Sequence, residues 1–186
     1  MTDRLPRLAR VIAALVLLAA VTTGCSLFGG GAVAPRTDVP TGMSVDIKKI
    51  GAKSTLEPMG LNEDRTIQTP PLDKVEQAGW YSLGPAPGDV GPAVVMGHIN
   101  GNGKNGVFSR LAELKAGDKV TITRDGKPLS FTINRVDTVP KDRFPTAQVY
   151  SDTQGPEIRL ITCGGDLDRA AKSYLSNVVA YGTLDA

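Results

Sequence analysis

His98 is the only histidine in the chain, and Cys163 is one of two cysteines, the other being Cys25 near the N-terminus. Each closes an apolar run, "AVVMGH" in one case and "RLITC" in the other, and the two residues stand 65 positions apart. A thiol with an unperturbed pKa of about 8.5 reacts only as thiolate, so a nucleophilic cysteine needs an imidazole or a cation beside it. His98 can be that partner if both runs are strands of one sheet whose C-terminal ends share an edge. Acyl transfer also needs a donor for the developing oxyanion, and a guanidinium supplies fixed positive charge with several N–H groups. Arg169 lies six residues after Cys163, across "GGDLD", and is the only arginine downstream of it. The three residue types together describe covalent acyl transfer, with Cys163 as nucleophile, His98 as acid and base, and Arg169 as the cation for the oxyanion.

Each residue also has a plainer reading. A lone cysteine is commonly an inert small hydrophobe, a lone histidine commonly packs or faces solvent, and Arg169 can be a solvated loop residue. A zinc site is poorly supported, because one histidine and one cysteine fall short of the three or four ligands such sites use. The segments "NEDR" and "GNGKNG" contain oxygen ligands without a dense carboxylate cluster, so no metal and no cofactor is expected.

The elements that must position these residues read as mostly β. The chain has 186 residues, 41% of them apolar, which suits one domain with a proper core. Its 21 glycines and 13 prolines punctuate short runs rich in Val, Ile and Thr. "MSVDIKKIG" alternates like a half-buried strand, and "GPAVVMGHI" is continuous enough for a strand buried on both faces. Val120, Ile122, the Asp125-Gly126 pair, Leu129, Phe131 and Ile133 outline a hairpin. "EIRLITC" and "NVVAYGTL" complete the strands. One short helix is expected over Val107 to Leu114, with another turn near Leu72 to Ala78. Many short strands without a βαβ rhythm favour a closed barrel or sandwich. The net charge is only +2, and the basic residues are scattered, which excludes a nucleic-acid footprint.

The N-terminal segment stands apart. Arg4, Arg7 and Arg10 precede an apolar stretch from Val11 to Val21, then small residues up to Gly24 and Cys25. Residues 1–24 therefore read as an export signal or signal anchor, the stretch being short of the roughly 20 apolar residues a spanning helix needs. "TTGC" resembles the bacterial lipoprotein cleavage box, with Cys25 as lipid attachment site; the competing reading is an uncleaved anchor extended to Phe28. Either way the chain is expected to be exported and membrane-tethered, on the extracytoplasmic face. In an exported chain an unpaired thiol at Cys163 calls for explanation, which favours function. Residues 25–42 read as a flexible linker and 43–186 as the catalytic domain.

Beyond these readings, "LITC" at 160–163 matches the TLxTC-type signature of sortases, and "GH" at 97–98 matches the histidine strand end that precedes it. "GPAVVMGHIN", "GVFSRLAELKAGDKVTI" and "ITCGGDLDRAAKSYLSNVVAYGTL" extend the match from about residue 43 to the end. In these segments the chain resembles the class F sortases of actinobacteria. The resemblance implies a closed eight-stranded β-barrel and a catalytic His98, Cys163 and Arg169, the last matching the "FDR" spelling of class F as "LDR". It departs at Arg159, where the signature has threonine, and at Tyr174 to Asn177, where several sortase classes place the arginine and this chain has no basic residue. The implied activity is that of a cysteine transpeptidase or peptidase of the hydrolase class. Its partners would be secreted proteins bearing an LPxTG-like sorting signal and an amine acceptor such as a peptidoglycan precursor.

Thr162 would bind near the substrate, or else simply pack as a strand threonine. Gly164 and Gly165 would let the following loop bend, or mark a plain turn. A monomer is expected. The alternative is a non-catalytic surface-binding lipoprotein on a degenerate sortase scaffold. An L,D-transpeptidase is rejected because Ile161 and Thr162 stand where its nucleophile motif needs His and Gly, and a redox sensor lacks a resolving cysteine.

Overall fold

The computed structural model describes Pro40 and residues 42–186; the export segment and Cys25 lie outside the described residues. The strands in chain order are β1 (Ser44–Ile47), β2 (Ala52–Met59), β3 (Ala78–Tyr81), β4 (Gly91–Gly97), β5 (Asn100–Gly101), β6 (Lys104–Asn105), β7 (Lys119–Arg124), β8 (Lys127–Pro140), β9 (Pro156–Asp168) and β10 (Ser173–Leu184). Eight of them close a barrel in the order β1-β2-β3-β4-β9-β10-β8-β7, with β7 returning to pair with β1, while β5 and β6 form a small hairpin of their own. Neighbours are antiparallel except β2 beside β3 and β4 beside β9. The mostly β, closed-barrel expectation is what the chain forms.

Local chemistry explains these boundaries. Asp125 and Gly126 both have positive φ, 52° and 73°, between the paired Arg124 and Lys127, which is the tight two-residue turn that suits the twist of a hairpin. The helix expected over Val107 to Leu114 shrinks to a single 3₁₀ turn, Leu111–Glu113. The N–H groups of Val107 and Phe108 are drawn instead to the carbonyls of Val75 and His98, at 2.9 and 3.0 Å, and residues 107–110 form turns rather than a helix. The turn near Leu72 is present as Leu72–Lys74. Several elements have no counterpart in the sequence reading: β2, half of whose residues are polar, the short strands β3, β5 and β6, and the five-residue helix α1 (Thr146–Tyr150).

The barrel interior is filled by alternate strand residues, among them Trp80, Phe131, Ile158 and Leu160, together with Phe108 from the turn after β6, all fully buried. Trp80 keeps its indole N–H satisfied by donating to the Pro85 carbonyl at 3.0 Å. A second apolar layer lies outside the wall, where Val94, Met96, Ile161, Val179 and Tyr181 pack with Val149 of α1. β4, β9 and β10 are thus covered on both faces, which is why they read as continuous apolar runs rather than alternating ones.

Candidate active site

β4 and β9 run parallel in a register that pairs Gly91 with Pro156 and continues to Met96 with Ile161. Extending it by two residues brings His98 level with Cys163. Met96 and Ile161 belong to the outer layer, so alternation along β9 puts the Cys163 side chain on that outer side, and His98, just past the end of β4, lines the same cavity. The two strands do not end together, however. β9 runs on to Asp168, so Cys163 sits within its strand and not at its end. The strand continues because Ser176 and Asn177 of β10 still pair with Gly164 and Cys163.

His98 is held from three directions. The Phe108 N–H donates to its carbonyl at 3.0 Å, and the Gly106 N–H donates to Ile99 at 2.9 Å. This packing requires glycine on both sides: a Cβ on Gly97 would stand 2.5 Å from Val107 Cγ1, and one on Gly106 would stand 2.1 Å from the His98 carbonyl oxygen. The "GH" pair is thus a packing requirement as well as a motif. On the ring, Nε2 meets the Pro70 carbonyl oxygen at 2.6 Å.

Cys163 is half-buried and its thiol is free. Directly across from it on β10 is Asn177. The two glycines after the thiol do different jobs. Gly164 permits close strand approach, since a Cβ there would be 2.6 Å from Val178 Cγ2, whereas Gly165 has φ of +70°, a left-handed conformation that glycine adopts freely. A bulge between Tyr174 and Ser176 accompanies them. Arg169 lies in the turn joining β9 to β10, which Asp168 shapes by accepting from the Ala170 and Ala171 N–H groups at 2.8 and 3.0 Å. Its side chain is exposed and forms no ion pair among the described residues.

His98, Cys163, Arg169 and Thr162 all border one cavity of about 680 Å³. Exposed leucines stand at its rim, Leu72 at 59% and Leu167 at 46%. Thr162 is placed differently from the other three. Its side chain shares the inner face of β9 with Ile158 and Leu160, and its hydroxyl is buried with no partner, which fits the packed-strand reading. The sequence reading missed Asn177, Tyr174 and Pro70, which also line the cavity. Tyr174 accepts a 2.6 Å hydrogen bond from Asn100, tying β10 to the hairpin that follows His98. No motif marks these residues; only strand register and loop packing bring them in.

The sequence matches the family model described as a sortase domain over residues 45–185. The chain belongs to the sortase family. Sortases are cysteine transpeptidases that act on sorting-signal-bearing proteins and amine acceptors, which is the chemistry suggested by the residue types in this cavity. No curated protein matches the chain in sequence. Among solved structures, a lid mutant of sortase A from Corynebacterium diphtheriae superposes with a TM-score of 0.62 at 19% identity, covering 81% of this chain and 73% of that one. A Clostridium perfringens sortase D5 transpeptidase gives 0.56 at 19% identity, covering 77% and 78%, and sortase C-1 from Actinomyces oris gives 0.57 at 19%, covering 77% and 73%. At these identities the likeness is one of fold.

Proposed function

We propose that this sortase, of the class F type its sequence resembles, cleaves an LPxTG-like sorting signal through a thioester on Cys163 and transfers the acyl part to an amine of the cell envelope. The Cys163 thiolate adds to the carbonyl of the signal's threonine, and Arg169 with a backbone N–H stabilises the oxyanion. Protonated His98 gives its proton to the leaving amine as the C–N bond breaks. A second amine then attacks the thioester, His98 takes its proton, and the C–S bond breaks to restore the thiolate. Residues 1–24 direct export, and lipidation of Cys25 or an uncleaved anchor holds the domain at the extracytoplasmic face.

The observation that supports this reading is that His98, Cys163 and Arg169 all border one cavity beside the parallel β4–β9 pair. The test is intact-mass analysis of the full chain with LPxTG-type peptides, with and without an amine acceptor, beside Cys163→Ala and His98→Ala. The expected result is an adduct on Cys163 that the acceptor discharges into a ligated peptide, absent from both variants. A Cys163 that reacts with a small thiol reagent yet accepts no peptide would point to a different signal, and an inert Cys163 would favour the non-catalytic scaffold. Mass analysis of the membrane-extracted protein decides whether Cys25 carries lipid.

A further inference from the structure

We infer that the main-chain carbonyl of Pro70 is the positioning group of His98, and that its hydrogen bond leaves Nδ1 as the ring nitrogen that carries the transferred proton. The inference rests on the acyl-transfer reading of the cavity and adds to it a third member behind the cysteine and histidine. The contact between His98 Nε2 and the Pro70 oxygen is 2.6 Å. A carbonyl oxygen can only accept, so Nε2 must be the donor and must keep its proton whether the ring is neutral or charged. Protonation and deprotonation then take place at Nδ1 alone. A base oriented by a third group is the recurring arrangement of nucleophilic catalysis, and a backbone carbonyl suffices to hold an imidazole in one tautomer.

The Pro70 carbonyl is placed firmly enough for this role. Pro70 is buried and is followed by Pro71, at φ −60° and ψ 142°, so two pyrrolidine rings stiffen the segment that presents the oxygen. Residues 70–75 are then fastened to the hairpin that follows His98. Asn102 donates its side-chain amide to the Leu72 carbonyl at 3.0 Å, and the Val107 N–H donates to the Val75 carbonyl at 2.9 Å. Asn102 and Gly103 have φ of 50° and 74°, which makes the tight turn that aims the Asn102 amide at that segment. The hairpin packs so closely that a Cβ on Gly101 would lie 2.5 Å from Val75 Cγ1. The ring of His98 and the group that orients it are therefore clamped together by the residues immediately after His98.

In the reaction, the imidazolium gives its Nδ1 proton to the leaving amine while the acyl group stays on sulfur. Neutral Nδ1 then takes a proton from the incoming amine as its bond to the acyl carbon forms and the C–S bond breaks. The Nε2–H to Pro70 bond persists through both steps and holds the imidazolium as it forms.

The test uses the full chain in detergent with ¹⁵N-labelled histidine; because His98 is the only histidine, every ring signal belongs to it. At a pH where the ring is neutral, the expected spectrum shows a proton on Nε2, exchanging slowly enough with water for its one-bond coupling to be seen, and none on Nδ1. A neutral ring protonated on Nδ1, or nitrogens averaged between two tautomers, overturns the inference. Asn102→Gly keeps the left-handed turn and removes the amide, and Gly101→Ala wedges the hairpin from Val75. Both are expected to lose the slow Nε2–H signal and to lower the kcat of acylation about 10-fold or more at unchanged KM, by analogy with the loss of groups that orient metal-binding histidines. Retention of the signal and of the wild-type kcat in both variants also overturns it. Failure of the wild-type protein to form a thioester with any peptide, together with a Cys163 inert to a small thiol reagent, sinks the acyl-transfer reading instead, and the Nε2 spectrum still reports whether Pro70 holds the ring.

Discussion

Gly106→Ala should disable the site from behind, without touching a reacting atom. The new Cβ would stand 2.1 Å from the His98 carbonyl oxygen, 2.5 Å from its carbonyl carbon and 2.9 Å from its Cβ. Two of those three atoms are backbone, which cannot swing away as a side-chain tip can. The stretch from Gly106 to Phe108 must lift off the end of β4, and two hydrogen bonds go with it: Phe108 N–H to His98 and Gly106 N–H to Ile99. Each is worth about 1 kcal/mol. Overpacking of a close-packed contact adds about 1–3 kcal/mol. The sum is about 4 kcal/mol, and for a domain of this size, at about 3 °C per kcal/mol, the midpoint should fall by about 12 °C.

Calorimetry of the full chain measures that fall, and acylation of Cys163 followed by intact mass at low temperature, where the variant is still folded, measures displacement of His98. On the proposed mechanism the acylation rate should drop about 100-fold, because His98 is displaced from where it would exchange protons. Gly155→Ala is the control: a Cβ there meets nothing within 4 Å, and both stability and rate should stay near wild type. A Gly106→Ala midpoint within about 3 °C of wild type, with normal acylation, would refute the reasoning that this contact fixes His98.

Arg169→Ala should lower the acylation rate about 100-fold at little change in KM, as loss of an oxyanion donor does; Asn177→Ala, which removes the cross-strand neighbour of Cys163, should cost less, and the reverse order would move the donor role to Asn177. Arg159→Ala should destabilise by about 3 kcal/mol, because Arg159 is 4% exposed, pairs with Glu157 at 2.6 Å and packs on the Tyr181 ring, and chemical denaturation should show Arg159→Met costing less than half as much. Hydrogen bonds from Lys119, Ser130 and Thr132 hold the Asp185 carboxyl well below the usual carboxylate range. A lowered folded-state pKa contributes stability that is present above the unfolded value of about 3.9 and lost as pH falls further. Thermal melts should therefore show wild type above Asp185→Asn at pH 7, with the gap closing below about pH 4.

The parts of this molecule that were legible in its sequence are those where one physical demand dominates. β4, β9 and β10 are buried on both faces, so their apolar runs stand out, and the Asp125-Gly126 turn is marked by residues that tolerate positive φ. β2 was not legible because only Ala52, Leu56 and Met59 of its eight residues are buried, and no strict alternation results. The segment after Gly106 looks helical by composition, yet the N–H groups of Val107 and Phe108 are claimed by Val75 and His98, a tertiary contact that local pattern cannot disclose. The same limit applies to the site. Cys163 and His98 announce themselves by rarity and by motif, whereas Asn177 enters only through the register of a bulged hairpin and Pro70 through a carbonyl, which no side-chain identity encodes.

The parallel pairing of β4 with β9 makes the constellation possible at all. In an antiparallel pair, residues near the C-terminal ends of two strands lie at opposite edges of the sheet, so a base and a nucleophile borne there would stand a strand length apart. A parallel pair sets both ends at the same level and leaves the stretch after each strand free to build the rim. Here the stretch after β4 becomes the hairpin that grips residues 70–75, while β9 runs on past Cys163 into the turn that carries Arg169. The connection between the two strands must then be long, and it is: β7, β8 and α1 all fall between them in the chain and close the far side of the barrel or cover its outer wall. The 65-residue separation of His98 and Cys163 is thus the length of chain needed to return to the starting edge in the same direction, and the constant offset in the β4–β9 register is its structural record.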